Sequence, residues 1–148
     1  LEIVFSQQVA GFWKLSGSFN GYNNVIDAYS GVLYFPYERS FSVNETTDKT
    51  WDAKLNNQFD LPEDFKIQLT GVYSADKNIP QGKQFARSSI DLGIKKPILK
   101  GNGEISFSFS DIFNNFGIRQ EYVDNGFKVR YENLYETQVA RLTFKYKF

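Results

Sequence analysis

The stretch TWDAKLNNQFDLPEDFKIQLTGVYS, residues 50–74, alternates between apolar and polar side chains along almost its whole length. In residues 51–61 the odd-numbered positions are mostly apolar and the even-numbered positions are polar, and residues 65–74 repeat the pattern with one interruption at Val72. Because successive side chains of a strand point to opposite faces, this spacing predicts two β-strands. The turn-forming sequence PED at residues 62–64 predicts that they pair as a tight antiparallel hairpin.

The same alternation continues on both sides of this hairpin, and helical periodicity is nearly absent. It predicts about seven strands in one up-and-down antiparallel sheet. Short turns are predicted at residues 9–11, 62–64 and 100–103, and they alternate with long loops at about residues 23–49, 75–85 and 114–132. Every short turn therefore lies at one end of the sheet and every long loop at the other. Within the third loop, the Asp-Asn-Gly sequence at residues 124–126 predicts a small hairpin of its own.

Composition excludes several classes of function. The chain has 17 basic and 17 acidic residues, no Cys and no His. A net charge of zero gives no support to nucleic-acid binding. Without Cys or His there are no disulfides, no zinc sites of the usual ligands and no imidazole-based catalysis. The remaining carboxylate pairs, such as Glu104 with Asp111, fall at strand ends or turns, where solvated charges are expected. We therefore expect no enzymatic activity, no cofactor and no metal site.

The strands have features of a membrane protein, although alternation alone also fits a soluble β-barrel. They are predicted to be ten residues or longer, which matches the ~9–11 residues that cross a bilayer at a tilt. Ser and Asn dominate the polar face, and aromatic residues make up 18% of the chain. Rings predicted to form girdles are Phe12, Trp13, Phe59, Phe65 and Phe148 at the short-turn end, and Tyr22, Trp51 and Tyr73 at the loop end. These features predict an all-β, antiparallel, up-and-down transmembrane β-barrel.

The last ten residues, VARLTFKYKF, alternate perfectly into a terminal aromatic residue. They resemble the terminal signature of bacterial outer-membrane proteins, whose last strand is recognised by the barrel-assembly machinery. The resemblance implies that Phe144, Tyr146 and Phe148 form an assembly signal and that the protein lies in the outer membrane of a Gram-negative bacterium. Because the strand ends at the short-turn end, the C-terminus is expected on the periplasmic side.

The segment SFSDIFNNFGIRQEY, residues 108–122, resembles the penultimate-strand motif of TonB-dependent receptors, especially the Bacteroidota outer-membrane β-barrel family. The matching positions are Asp111, Ile112, Phe113 and Asn114. The resemblance implies that residues 1–148 are the C-terminal strands of a barrel that imports a chelated metal, a glycan or a peptide. Such receptors have about 22 strands and a plug. The expected partners are therefore lipid, the assembly machinery, the remainder of the barrel and plug, and the TonB complex through regions outside this chain.

An aromatic cluster in the first long loop supplies the candidate ligand contacts. These are Tyr29, Tyr34, Phe35, Tyr37 and Arg39. The alternative is that the rings pack the loops together or sit in the outer leaflet. Two other functions also remain open. One is a small barrel with a structural or adhesive role, in which the loops supply an eighth strand. The other is a soluble lipocalin-like barrel that binds a ligand.

Overall fold

The chain folds entirely into antiparallel β-structure in a computed structural model that describes residues 1–124 and 126–148. In chain order the strands are β1 (Glu2–Ala10), β2 (Trp13–Ile26), β3 (Tyr29–Leu33), β4 (Arg39–Val43), β5 (Thr46–Leu61), β6 (Phe65–Ser74), β7 (Lys77–Ile79), β8 (Gly82–Gln84), β9 (Arg87–Ile98), β10 (Gly103–Ser110), β11 (Ile118–Asp124), β12 (Phe127–Asn133) and β13 (Val139–Tyr146). The predicted all-β, antiparallel class is confirmed. Among the described residues, no helix is long and apolar enough to span a membrane.

The main sheet has seven strands in the order β1-β2-β5-β6-β9-β10-β13, so it is the predicted up-and-down arrangement. Its edges are β1 and β13, which do not pair with each other in the described part of the chain, and the sheet is open. The loop strands form two separate sheets, β12-β11-β8-β7 and β3-β4. Within the described residues no loop therefore supplies an eighth strand to the main sheet, which argues against the alternative of a small barrel closed by a loop strand.

The short turns lie at the predicted positions or within two residues of them, and all three are at one end of the main sheet. They are formed by residues 11–12, by Pro62–Asp64 and by Leu99–Gly101. Glu63 and Lys100 adopt φ angles of 59° and 56°, which a tight connection between neighbouring strands requires.

The long loops are more regular than the sequence predicts. β2 and β5 stay paired as far as Ile26 opposite Thr46, so only residues 27–45 of the first predicted loop leave the main sheet. Residues 46–50 are all polar and show no alternation, but they remain paired with β2 because backbone pairing does not require apolar side chains. The predicted final strand, from residue 133, instead begins at Val139, because Asn133 belongs to β12. β11 and β12 form the predicted hairpin, although Asn125 of its turn lies outside the described residues.

Cross-strand register sorts the main sheet into an apolar face and a polar face. One row of directly paired positions runs across six strands as Trp13, Phe59, Ile67, Ile94, Phe107 and Leu142. A neighbouring row on the other face runs Ser16, Asn56, Thr70 and Asp91. The apolar face is open, with Leu142 exposed by 74%, and among the described residues Ala75 is the only buried apolar one. The sheet therefore has no core of its own, and its apolar face is left uncovered.

Two rows of stacked rings mark the ends of the apolar face. Near the short turns, Trp13 stacks on Phe59 with ring centroids 5.9 Å apart. Near the loops, Trp51 stacks on Phe19 at 5.6 Å and on Tyr73 at 4.7 Å. Phe59 and Trp51 are eight residues apart on β5. That spacing is about 26 Å along a strand, or about 20 Å vertically at the tilt of a membrane barrel, whose apolar band is ~25 Å.

One predicted girdle residue lies on the wrong face. Tyr22 pairs with Thr50, and its hydroxyl donates a hydrogen bond of 3.3 Å to Asp52 on the polar face. The prediction grouped rings by their distance from the strand end. It did not consider whether each ring is at an odd- or even-numbered position, which decides the face of the sheet on which the ring lies. Phe19, at an odd-numbered position of β2, takes the expected place beside Trp51.

Candidate functional site

Two substructures stand at the loop end of the main sheet. We refer to the four strands β7, β8, β11 and β12 as the loop sheet, and to residues 29–43, which contain β3 and β4, as the loop hairpin. The predicted ligand contacts all fall on the loop hairpin, and the predicted receptor motif falls at the base of the loop sheet. The two substructures therefore form the candidate functional end of the molecule.

The loop hairpin presents three aromatic rings at its tip. Tyr34, Phe35 and Tyr37 are exposed by 78%, 89% and 69%. Arg39 is also exposed and begins the returning strand opposite Leu33. The structure therefore brings four of the five predicted contact residues together on one exposed tip. Rings arranged this way offer flat apolar surface to a partner that arrives from solvent.

Tyr29 is the predicted contact residue that lies apart from the others. It pairs with Val43 at the opposite end of the hairpin, and its ring forms a T-shaped pair with that of Phe41, with ring centroids 6.0 Å apart. Phe41 also covers Gly31, where an added Cβ would come within 2.8 Å of the ring. These contacts hold the two strands of the hairpin together. For Tyr29 the structure thus favours the alternative that the ring packs within the loop.

The loop sheet is tied to the polar face of the main sheet through β7. The backbone N–H of Asn78 donates to Asp48 Oδ2 at 2.7 Å, and its carbonyl accepts from Asn24 Nδ2, also at 2.7 Å. Thr50, exposed by only 3%, donates through its hydroxyl to the carbonyl of Asp76 at 3.0 Å. Because Asn24, Asp48 and Thr50 occupy polar-face positions, these bonds fix the loop sheet over that side of the main sheet.

An ion pair and a cation–π contact add to the loop sheet's attachments. Asp76 and Lys83 pair across the β7–β8 hairpin. The hydrogen bond and charge of Lys83 lower the pKa of the Asp76 carboxyl, and the same pair raises the pKa of Lys83. The Arg87 guanidinium lies 4.6 Å from the centre of the Phe116 ring. The backbone N–H of Ser88 donates to the carbonyl of Asn115 at 3.5 Å, so the start of β9 holds the segment leading into β11.

The predicted receptor motif forms a compact turn around a buried carboxylate. Asp111 is exposed by only 2%. It accepts hydrogen bonds from the backbone N–H groups of Asn115 and Phe116, both at 3.0 Å, and from the Thr137 hydroxyl at 2.5 Å. Its own N–H donates to Asp91 Oδ1 at 2.7 Å. This one side chain therefore joins the end of β10, the start of the loop sheet and the segment before β13.

Two of the other three motif residues, Ile112 and Asn114, support the same turn. The N–H of Ile112 donates to the carbonyl of Ile90 at 2.9 Å, and the N–H of Asn114 donates to the carbonyl of Asp111 at 2.8 Å. Asn114 adopts a φ of 51°, a conformation that Asn tolerates better than most residues. Phe113 is 69% exposed and points away from this network.

Hydrogen bonds to the carboxylate decide the charge state of Asp111. Burial by itself raises the pKa of the carboxyl, because it disfavours the charged form. The bonds from Thr137, Asn115 and Phe116 favour the carboxylate and outweigh burial, so the pKa lies below its ordinary value. Asp111 is therefore charged at neutral pH and acts as the anionic centre of the turn.

The predicted assembly residues lie at the open edge formed by β13. Phe144 and Tyr146 are on the apolar face and are exposed by 60% and 49%. Phe148 follows the strand, and its ring meets that of Tyr146 edge-on at 5.0 Å. Their side chains are thus accessible to a partner that approaches this edge.

Sequence reasoning missed the residues that anchor the loop sheet, namely Asn24, Asp48, Thr50, Asn78 and Thr137. They are ordinary polar residues: Asn24, Asp48 and Asn78 lie in segments predicted to be loops, and Thr50 and Thr137 lie in segments predicted to be strands. The bonds they make join positions up to 54 residues apart in the chain, so no local pattern signals them.

Comparison with known proteins identifies a family for nearly the whole chain. A family model described as "Outer membrane protein beta-barrel family" matches residues 1–146. The matched range includes all thirteen strands of the structure. No match was found among curated proteins or solved structures.

Proposed function

The chain belongs to the outer membrane protein beta-barrel family and is located in the outer membrane, and on that basis we propose that it forms part of the wall of a TonB-dependent nutrient transporter. The transported nutrient would be a chelated metal, a glycan or a peptide. The chain itself would bind and guide this ligand and would catalyse no reaction. Family membership overturns the soluble lipocalin-like alternative. The apolar face of the main sheet therefore faces lipid and the polar face lines the interior.

The exposed tip of the loop hairpin is the observation that carries this proposal. Tyr34, Phe35 and Tyr37 expose more than two thirds of their surfaces, although large rings in water are costly unless they serve contact. Aromatic rings beside an Arg are also the residue types that contribute most to binding. These rings, together with Arg39, would make the first contact with a ligand at the cell surface.

The open edges of the main sheet support a barrel larger than seven strands. β1 and β13 leave backbone groups without partners among the described residues, and lipid does not tolerate unpaired backbone groups. We place further strands beside both edges, so that the sheet closes around a plug. The motif at residues 111–114, which resembles that of TonB-dependent receptors, supports the same assignment. The assembly machinery would recognise β13, and the TonB complex would act through other parts of the transporter.

The alternation of short turns and long loops sets the proposed orientation. Bacterial barrels have short periplasmic turns and long extracellular loops. The loop hairpin and loop sheet would then be extracellular, and the end of β13 periplasmic. In intact cells, an impermeant maleimide should label a Glu38→Cys variant but not a Lys100→Cys variant, whose turn lies at the other end of the sheet. The reverse pattern would contradict the orientation.

Growth on defined nutrients tests the proposed transport function. A strain lacking the gene is grown with an iron chelate as sole iron source, an oligosaccharide as sole carbon source, or a peptide as sole nitrogen source. We expect at least a tenfold lower yield on one class, restored by the wild-type gene only when TonB is present. Normal growth on all three classes, with the protein shown to be in the outer membrane of the wild type, would favour a structural or adhesive role.

A further inference from the structure

The lipid-facing side of the main sheet contains a groove just inside the loop-side row of rings. Its volume is about 550 Å³, and most of its lining residues occupy apolar-face positions. We define the groove by its walls, Phe5, Leu55, Tyr73, Ile90 and Phe113, and by Gly71 on its floor. A cavity of about 150 Å³ is enough to hold a benzene molecule. The groove therefore has room for a considerably longer apolar group.

Small side chains in the middle of the sheet create this groove. Gly71 pairs with Leu55 on one side and Ile90 on the other. An added Cβ at Gly71 would meet no atom within 4 Å, so the space above this glycine is open. At Gly17, in the same row, Phe5 already covers the backbone and a Cβ would meet its ring at 2.8 Å. Gly17 is thus covered by the Phe5 ring, whereas Gly71 is left uncovered.

The depth of the groove decides what kind of molecule can enter it. Gly71 is two residues from Tyr73 toward the short turns, and Tyr73 belongs to the ring row at the loop-side boundary. The floor therefore lies about 7 Å along the strand inside that boundary, at the depth of lipid hydrocarbon. Phe113, from the turn after β10, adds an aromatic ring to the lining of the groove.

We propose that this groove holds one acyl chain of a lipid from the loop-side leaflet as a specific site. Apolar surface gives no hydrophobic preference inside a membrane, because lipid tails are as apolar as the protein. A preference comes instead from the number of atoms in close contact. A chain in the groove touches walls on both sides as well as the floor, whereas a chain on a flat wall touches one surface. The inference uses the membrane location of the family and does not depend on transport.

Filling the groove is the direct test. The intact protein is placed in nanodiscs of phosphatidylethanolamine that contain a small fraction of the same lipid with a diazirine in its acyl chain, and the cross-linked peptides are mapped by mass spectrometry. In the wild type we expect labelling of the segments around Gly71 and Phe113 to exceed that of the rest of the apolar face at least fivefold. Gly71→Phe should remove this excess, since its ring would occupy the open space above the floor.

A matched control adds the same ring outside the groove. Leu69 also lies on the apolar face, two residues closer to the short turns than Gly71, and it does not line the groove. Leu69→Phe should keep the excess labelling. If Gly71→Phe did not fold, Phe113→Ala would replace it, because this exposed wall residue can be removed without altering the sheet. That variant should lower the excess at least twofold. Even labelling of the whole apolar face in the wild type, or unchanged labelling in the groove variants, would overturn the proposal.

Discussion

The loop sheet and the loop hairpin stand at the same end of the main sheet but are held there in different ways. The loop sheet is joined to β2 and β5 through Asn78 and Thr50, and to the β10 end through Asp111. Among the described residues, no hydrogen bond or ion pair links the loop hairpin to another sheet. A two-stranded hairpin alone is only marginally stable in water. The loop sheet is therefore fixed to the main sheet, whereas the loop hairpin is held mainly by the pairing of its own two strands.

The position of the attachments explains this difference. Every attachment of β7 is made to the polar face, over the interior of the proposed barrel. The loop hairpin, by contrast, continues the two longest strands outward and carries the exposed rings. We infer that the loop sheet shapes the entrance and that the loop hairpin samples the surroundings for ligand. Each prediction below tests one side of this division.

The largest effect is expected at Asp111. Asp111→Ala removes a charged acceptor from three buried hydrogen bonds, and it should lower the opening free energy of the adjoining loop sheet by about 3 kcal/mol. Hydrogen exchange of the Asn115 and Phe116 amides measures this opening. Asp111 has a φ of 44°, which Asn also tolerates. Asp111→Asn keeps this backbone conformation and the shape of the side chain, so it should cost less, about 1–2 kcal/mol. Equal exchange in all three proteins would show that the carboxylate does not anchor the loop sheet.

The same anchor predicts a dependence on pH. Because the pKa of Asp111 is lowered in the folded protein, its stabilisation is complete above the ordinary Asp value of about 3.9. The stabilisation is lost as pH falls from there through the lower folded pKa. Exchange at Asn115 and Phe116, corrected for intrinsic rates, should therefore accelerate below about pH 4 in the wild type. In Asp111→Asn this acceleration should be absent.

A smaller effect is expected at the β5 attachment. Thr50→Val removes one hydroxyl donor to the Asp76 carbonyl while it keeps the shape of the side chain, and should cost about 1 kcal/mol. The change should appear as faster exchange in β7 and β8. Thr47→Val is the matched control, because Thr47 lies on the same strand with its side chain exposed on the other face. If both variants exchange alike, the β7 attachment does not depend on Thr50.

The smallest effect on stability is expected at the tip of the loop hairpin. The combined change of Tyr34, Phe35 and Tyr37 to Ser alters only exposed side chains, and should shift the opening free energy of the loop sheet by less than about 0.5 kcal/mol. Uptake of the nutrient found in the growth test should fall at least tenfold, because aromatic residues are enriched among the contacts whose loss costs about 2 kcal/mol or more of binding free energy. A large loss of loop-sheet stability would show that the two substructures are coupled.

Local pattern explains which parts of the fold could be predicted. The alternating pattern of residues 50–74 predicts how β5 and β6 pair, and the structure shows this pairing. A shift of the pairing by one residue would move every apolar side chain to the other face of the sheet. Tyr22 was assigned to the wrong face because the nearness of a residue to a strand end does not show which face its side chain occupies. The loop sheet could not be predicted in detail. Its strands are as short as three residues and depend on bonds from distant segments, such as Asn24 to Asn78.

The candidate site shows the same limit. The exposed rings at Tyr34, Phe35 and Tyr37 were found from the clustering of aromatic residues, and the structure places them together. The role of Asp111 in the turn was not predicted, because the resemblance marked the residue without its partners. Thr137 lies 26 residues away, and only the folded chain brings its hydroxyl to the carboxylate.

Because its strands differ in length, the main sheet extends further at its loop end along β5 than along β10. β5 has 16 residues, whereas β10 has eight. From Trp51 at the membrane boundary, β5 continues five residues to Thr46, which is about 17 Å along the strand. The loop hairpin follows only after this pair of strands ends, at Ile26 opposite Thr46. In the proposed orientation, a bulky molecule approaching the cell would meet this raised side of the entrance first.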